Sequence, residues 1–180
     1  MAKPLEDNLK DAGVERAVVA GMLKHGPDMV LDIADFLEPH HMSTPLNRAI
    51  FEVLKYLATE KQCSSFDTPI VVQTGKNLGY KVFEEHKTGD YIMSISDVPP
   101  ESDNTLKMAR CLFILATARD GVKCLRGAAM DIGKTTGEEG IDEIIAKIEK
   151  PIFDFTGEML SHGTELRPIG QGFAETMKVL

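Results

Sequence analysis

Residues 104–150 read NTLKMARCLFILATARDGVKCLRGAAMDIGKTTGEEGIDEIIAKIEK. From Asn104 to about Ile132 apolar side chains recur every seven residues. Met108, Leu115, Val122 and Ala129 hold one set of positions; Cys111, Ala118, Leu125 and Ile132 hold the other. Such spacing predicts a long helix with a coiled-coil type seam, and its small residues admit a partner helix at close range. Leu112, Phe113 and Ile114 widen the apolar surface beyond a seam, so the start of this helix is expected to pack on a globular module as well. Glycine and threonine then interrupt the pattern, and Ile141, Ile144, Ile145 and Ile148 draw a second helical stripe. The stretch therefore predicts a helical hairpin over 104–160 with its turn at about 133–137.

Within that turn, Gly133-Lys134-Thr135 matches the end of the phosphate-binding pattern G-x-x-x-x-G-K-[ST]. That pattern needs a glycine at 128, where the chain has Ala128; Gly127 is one place too early. It also needs a preceding β-strand, whereas the preceding residues read as helix. Both spacing and context exclude a nucleotide loop. Thr136-Gly-Glu-Glu139 instead fits a capping box, with the acidic residues Glu138, Glu139, Asp142 and Glu143 at the start of the second arm and Lys147 and Lys150 at its end. Pro151 is expected to end or kink that arm.

Working outward towards the N-terminus, Val14, Val18 and Met22 mark a helix that stops before Gly26-Pro27, where a second, short one begins. Leu46, Ile50, Val53, Leu54 and Leu57 form one face of a third helix, with Ser43 or Thr44 as cap and Pro45 in its first turn. Asp67 opens the next and Gly79 stops it, and Thr88-Gly89-Asp90 opens a short one. Pro99-Pro100 forbids helix. Almost no stretch alternates with period two, so the chain is all-α: a small globular helical module, a long hairpin and a linker helix. The expected divisions are a flexible N-terminus at 1–13, the module at 14–98, a Pro-rich linker at 99–103, the hairpin at 104–160, a second linker at 161–172 and the start of a helix at 173–180.

A charged fraction of 27% beside 43% hydrophobic residues is an ordinary folded composition, ample for a core. With a formal net charge of −8 and no long basic run, this segment is not expected to be the main grip on nucleic acid. Three cysteines at no metal-like spacing, no signal peptide and no apolar run of membrane length predict a cytoplasmic protein with reduced thiols. His40-His41 on an irregular segment cannot converge on one metal, and vicinal glutamates on a helix do not share a face. No catalytic, cofactor-binding or metal-binding residue is assigned. The residues instead predict an interaction module.

The expected oligomer interface is Met108, Cys111, Leu115, Ala118, Val122, Leu125 and Ile132 on the first arm, with Ile141, Ile144, Ile145 and Ile148 on the second. A first arm of about 28 residues cannot be covered by a second of about 12 before Pro151, at ~1.5 Å rise per residue. A second copy of the hairpin is the expected cover. Lys134, Thr135, Glu138 and Glu139 at the hairpin tip are the candidate partner-docking residues.

The order of parts resembles the N-terminal domain and linker of DnaB-type replicative helicases. The resemblance rests on GVERAVVAGML with Glu15, on DFLEPHHMSTPLNRAIFEVLKYLATEKQCSSFDTPIVV, on YIMSISDVPP and on NTLKMARCLFILATARD with Arg119. IDEIIAKIEKPIFDF looks like that family's returning hairpin helix, and LRPIGQGFAETMKVL like its lead-in to an ATPase domain. Asn47-Arg48 departs from the histidine common in the family before IF, as in a phage-encoded or distant member. The resemblance implies dimers assembled as a trimer of dimers, a hexameric collar that docks primase and in some systems a helicase loader. It also implies a motor with ATP and Mg, and 5′→3′ DNA translocation, in a domain beyond Leu180, so the segment is expected to be no enzyme itself and to meet DNA mainly through that motor. A free-standing helical adaptor or regulator of a replicative helicase is the alternative.

Overall fold

The computed structural model describes residues 5–84 and 87–161, with side chains placed for 7–84 and 87–157. Among the described residues seven α-helices follow one another: α1 Ala12–His25, α2 Pro27–Ala34, α3 Pro45–Thr59, α4 Thr68–Asn77, α5 Lys87–Ser96, α6 Ser102–Ile132 and α7 Ile141–Ser161. Short 3-10 segments occupy Leu5–Leu9, Pro39–His41 and Lys81–Phe83. Among the described residues there is no strand.

Local chemistry accounts for the boundaries. Asp11 caps α1, its carboxylate accepting the Val14 N–H at 3.0 Å. Gly26 then turns the chain at φ 84°, a value that suits a residue without Cβ, and Pro27 starts α2 at once. Val53, Leu54, Ile50 and Phe51 are buried on α3, which packs against α1, α2 and α4. Each such side chain stabilises the fold by roughly 1.5–3 kcal/mol. Val18, Val19 and Met22 of α1, Ile33 of α2 and Ile92 of α5 close the same core. Phe83 is seated over Gly75, whose missing side chain leaves the room: a Cβ there would come within 2.5 Å of the ring.

The chain divides into two compact units, 1–122 and 123–180, and the division falls inside α6 rather than at the proline pair. The module read at 14–98 and the linker at 99–103 both fall within the first of these units. The connection after α5 is short, and the His25 ring donates from Nε2 to the Pro100 carbonyl at 2.8 Å, fastening it to the end of α1. The N-terminal residues, expected to be flexible over 1–13, include the 3-10 segment Leu5–Leu9 and the first residues of α1. The linker at 161–172 and the helix at 173–180 lie outside the described residues, save Ser161, which closes α7.

Candidate functional site

The first two-thirds of α6 belongs to the globular unit. Thr105, Ala109, Leu112, Ala116 and Arg119 are its buried residues there, spaced four, three, four and three. This docking stripe lies one residue out of step with the seam read from the sequence, a rotation of about 100° round the helix. Thr105 seats against Gly21 of α1, where an added Cβ would meet its side chain at 2.2 Å. Phe113 packs edge-on against Phe36, ring centroids 6.2 Å apart, and against His41 at 5.6 Å. Arg119, 8% exposed, donates through its guanidinium to the Leu9 carbonyl at 2.7 Å and to the His41 carbonyl.

His41 is half-buried rather than part of a solvated loop. Its Nδ1 accepts the Glu38 N–H at 2.9 Å. Burial, and next the neighbouring His40, push its pKa down to about 4. Among the described residues no group of three or more His, Cys, Asp or Glu side chains is placed to hold a metal ion. Nor is any helix there long and apolar enough to cross a membrane.

The predicted interface residues separate into two groups. In the globular unit, Met108 packs partly against the core, Leu115, Ala118 and Val122 are half-buried, and Cys111 is exposed. Ile114, outside the predicted set, is 65% exposed. In the second unit Leu125 is exposed and Ile132 half-buried; on α7 Ile144 is half-buried while Ile141, Ile145 and Ile148 are exposed. Ile152 and Phe153, just beyond Pro151, extend the exposed apolar surface and lie outside the predicted interface set. Of the two outcomes expected at Pro151, an end to the arm does not occur: α7 runs through it to Ser161. The ring forfeits one backbone N–H, but the helix beyond it is retained. The arms are therefore 31 and 21 residues long, less unequal than the sequence suggested.

The arms meet through one face of each. Cys124 Sγ lies 3.2 Å from the Pro151 carbonyl, and Ala128, one turn further along α6, is buried. On α7 the half-buried residues Ile144, Lys147 and Pro151 share that inward side. At about 100° per residue, Leu125, Ala129 and Ile132 stand roughly a quarter-turn round α6 from its inward face. Ile141, Ile145, Ile148 and Ile152 stand roughly a quarter-turn round α7 from its own, in the same rotational sense. Because the arms are antiparallel, these two rotations lead to the same side of the hairpin. The second unit thus carries one broad apolar face drawn from both helices.

The turn between the arms is closed by Glu139. Its carboxylate accepts from the Thr136 N–H at 3.0 Å, the Gly137 N–H at 3.1 Å and the Thr136 hydroxyl at 3.1 Å, with Lys147 Nζ at 3.7 Å. Hydrogen bonds from its own backbone N–H, then from Thr136 and Gly137, hold its pKa down at about 2. Glu139 reaches back to the Thr136 N–H as expected, while the Thr136 hydroxyl accepts from the Glu138 N–H at 3.4 Å; these contacts fold the turn on itself, since α7 begins only at Ile141. Of the other tip residues, Lys134 pairs with Asp131 at 2.7 Å, Glu138 is exposed, and the buried Thr135 hydroxyl has no hydrogen-bond partner. The near-match to a phosphate loop is a turn wrapped round the chain's own carboxylate.

The described residues thus form a globular helical unit and an antiparallel helical hairpin with an exposed apolar face. The model of the DnaB-like helicase N terminal domain matches residues 7–113, and the chain belongs to that family. The crystal structure of the N-terminal domain of DnaB helicase from Mycobacterium tuberculosis is similar, with a TM-score of 0.65 at 17% identity, over 81% of this chain and 97% of that one. That likeness is one of fold. No curated protein sequence matches the chain.

Proposed function

We propose that this chain is the oligomerisation and protein-docking domain of a hexameric replicative DNA helicase, pairing into dimers that close as a trimer of dimers and form a collar. The observation that carries the reading is the apolar face on which Leu125, Ile141, Ile145 and Ile148 are exposed, with the half-buried Ile132 beside them. A second copy of the hairpin presents the same face and covers it, as isologous pairing demands. Ile144, half-buried on α7, backs that face; Met108, Cys111, Leu115, Ala118 and Val122, read from the sequence as part of the interface, belong to the globular unit.

In this reading primase, and in some systems a helicase loader, docks at the hairpin tip through Lys134, Thr135, Glu138 and Glu139. ATP and Mg serve a RecA-like motor joined to such a domain, and residues 1–180 contribute no catalytic group. Pull-down of the cognate primase tests the docking half: reversing Lys134 and Glu138 together weakens capture if the tip is the contact. Unchanged capture removes the tip from the interface. The mass of the assembled collar tests the other half.

A further inference from the structure

The N-terminal 3-10 segment Leu5–Leu9 lies far in sequence from α6, yet Arg119 joins them. Arg119 is a cation held inside the globular unit, and the acceptors it reaches there are two main-chain carbonyls, Leu9 and His41. A buried guanidinium deprived of an acceptor bears the full desolvation penalty of the group, so each carbonyl matters far more than a surface contact would. The two carbonyls differ in how firmly they are held. His41 belongs to a segment fixed on both sides: its ring packs on Phe113, and the neighbouring Met42 carbonyl accepts from Arg48 Nη2 at 2.8 Å. Leu9 belongs to a five-residue 3-10 segment closed by the Asp7–Lys10 ion pair at 2.7 Å, ahead of the α1 cap at Asp11.

We infer that residues 5–9 form a strap which keeps Arg119 inside the globular unit and so locks the 112–119 stretch of α6 against it. The strap couples the N-terminal end of the chain to α6. Capture of the strap by another protein, or its removal, leaves one arm of the guanidinium unsatisfied and loosens that stretch of α6. The core round α3 does not depend on it, because Glu15, Ser43 and Asn47 hold α3 without contribution from residues 5–9.

Amide hydrogen exchange on the full chain and on a chain lacking residues 2–9 tests this. The strap predicts exchange at least about tenfold faster for the amides of residues 116–119 in the deletion, with α3 amides at their parent rates. Arg119→Gln in the full chain accelerates the same amides, and adding the deletion to Arg119→Gln changes them little further, because the Leu9 hydrogen bond that the deletion removes is already gone. Unchanged exchange at 116–119 in the deletion overturns the inference. So does uniform acceleration across α3 and α6, and so does an additive effect in the combined variant.

Discussion

The carboxylate of Glu15 accepts the Ser43 backbone N–H at 2.6 Å and the Ser43 hydroxyl at 2.5 Å, so a side chain of α1 satisfies the start of α3. It also accepts the Thr44 N–H at 3.0 Å and faces Asn47 Nδ2 at 3.4 Å, and Asn47 in turn accepts the Tyr91 hydroxyl of α5 at 2.6 Å. Glu15 is fully buried. Replacement by glutamine keeps the shape and removes the charge that strengthens these bonds. Glu15→Gln is expected to cost on the order of 2 kcal/mol, read as a lower urea midpoint. An unchanged midpoint would contradict this role.

Acid should destabilise the globular unit. Burial alone raises the Glu15 pKa, but the hydrogen bonds from Ser43 and Thr44 outweigh it and hold the carboxyl below its ordinary value. A depressed carboxylate contributes stability above its unfolded pKa and loses it as pH falls through the folded one. His41, held down at about 4, stays neutral in the fold while the unfolded ring takes up a proton near 6.5. Its contribution therefore declines as pH falls from about 6.5 to about 4, and is gone below that. Thermal melts at stepped pH should show Tm falling through this window, and less steeply in a His41→Phe variant. A flat Tm from pH 7 to 4 would contradict the His41 assignment; the loss from Glu15 is expected lower, as pH falls below its ordinary value of 4.5.

Gly21 governs how closely α6 approaches α1. Gly21→Ala places a Cβ 2.2 Å from the Thr105 hydroxyl and 2.8 Å from its Cβ, in a site with no spare room. The expected cost is about 1–3 kcal/mol of overpacking, and Thr105→Ala in the same chain should recover part of it. Calorimetry of the single and double variants checks this; a double variant no better than Gly21→Ala alone would place the strain elsewhere.

The hairpin turn depends on an ionised Glu139. Glu139→Gln should speed exchange of the Thr136 and Gly137 amides, which now donate to the carboxylate, while leaving the global melting transition in place. Unaltered protection at both amides would show that the turn is set by Gly137, at φ 95°, without help from the side chain.

Much of this architecture was legible from spacing alone. Leu46, Ile50, Val53, Leu54 and Leu57 mark α3 because five large apolar residues share one face, and the hairpin is announced by the glycines and threonines between two apolar runs. The register of α6 was not legible. Its docking stripe uses Thr105, two alanines and Arg119 beside a single Leu112, so the side that packs does not look apolar, whereas the exposed side does. Glu15 was hidden for a related reason: a lone glutamate on a helix reads as solvated until a second helix start is brought to it. Arg119 and the strap are joined across 110 residues, which no local pattern encodes. The passage of α7 through Pro151 shows the reverse case, where a local breaker is overridden by the helix on both sides.

In the proposed assembly the apolar face of the hairpin pairs two copies of the chain. Sedimentation velocity over a range of concentrations tests it most directly, run on residues 1–180 and on an Ile145→Glu, Ile148→Glu variant. Dimers or larger closed assemblies are expected for the parent and monomers for the variant, with helical content retained. A parent chain that stays monomeric at high concentration with Leu125, Ile145 and Ile148 intact, or a variant that assembles as the parent does, would contradict it.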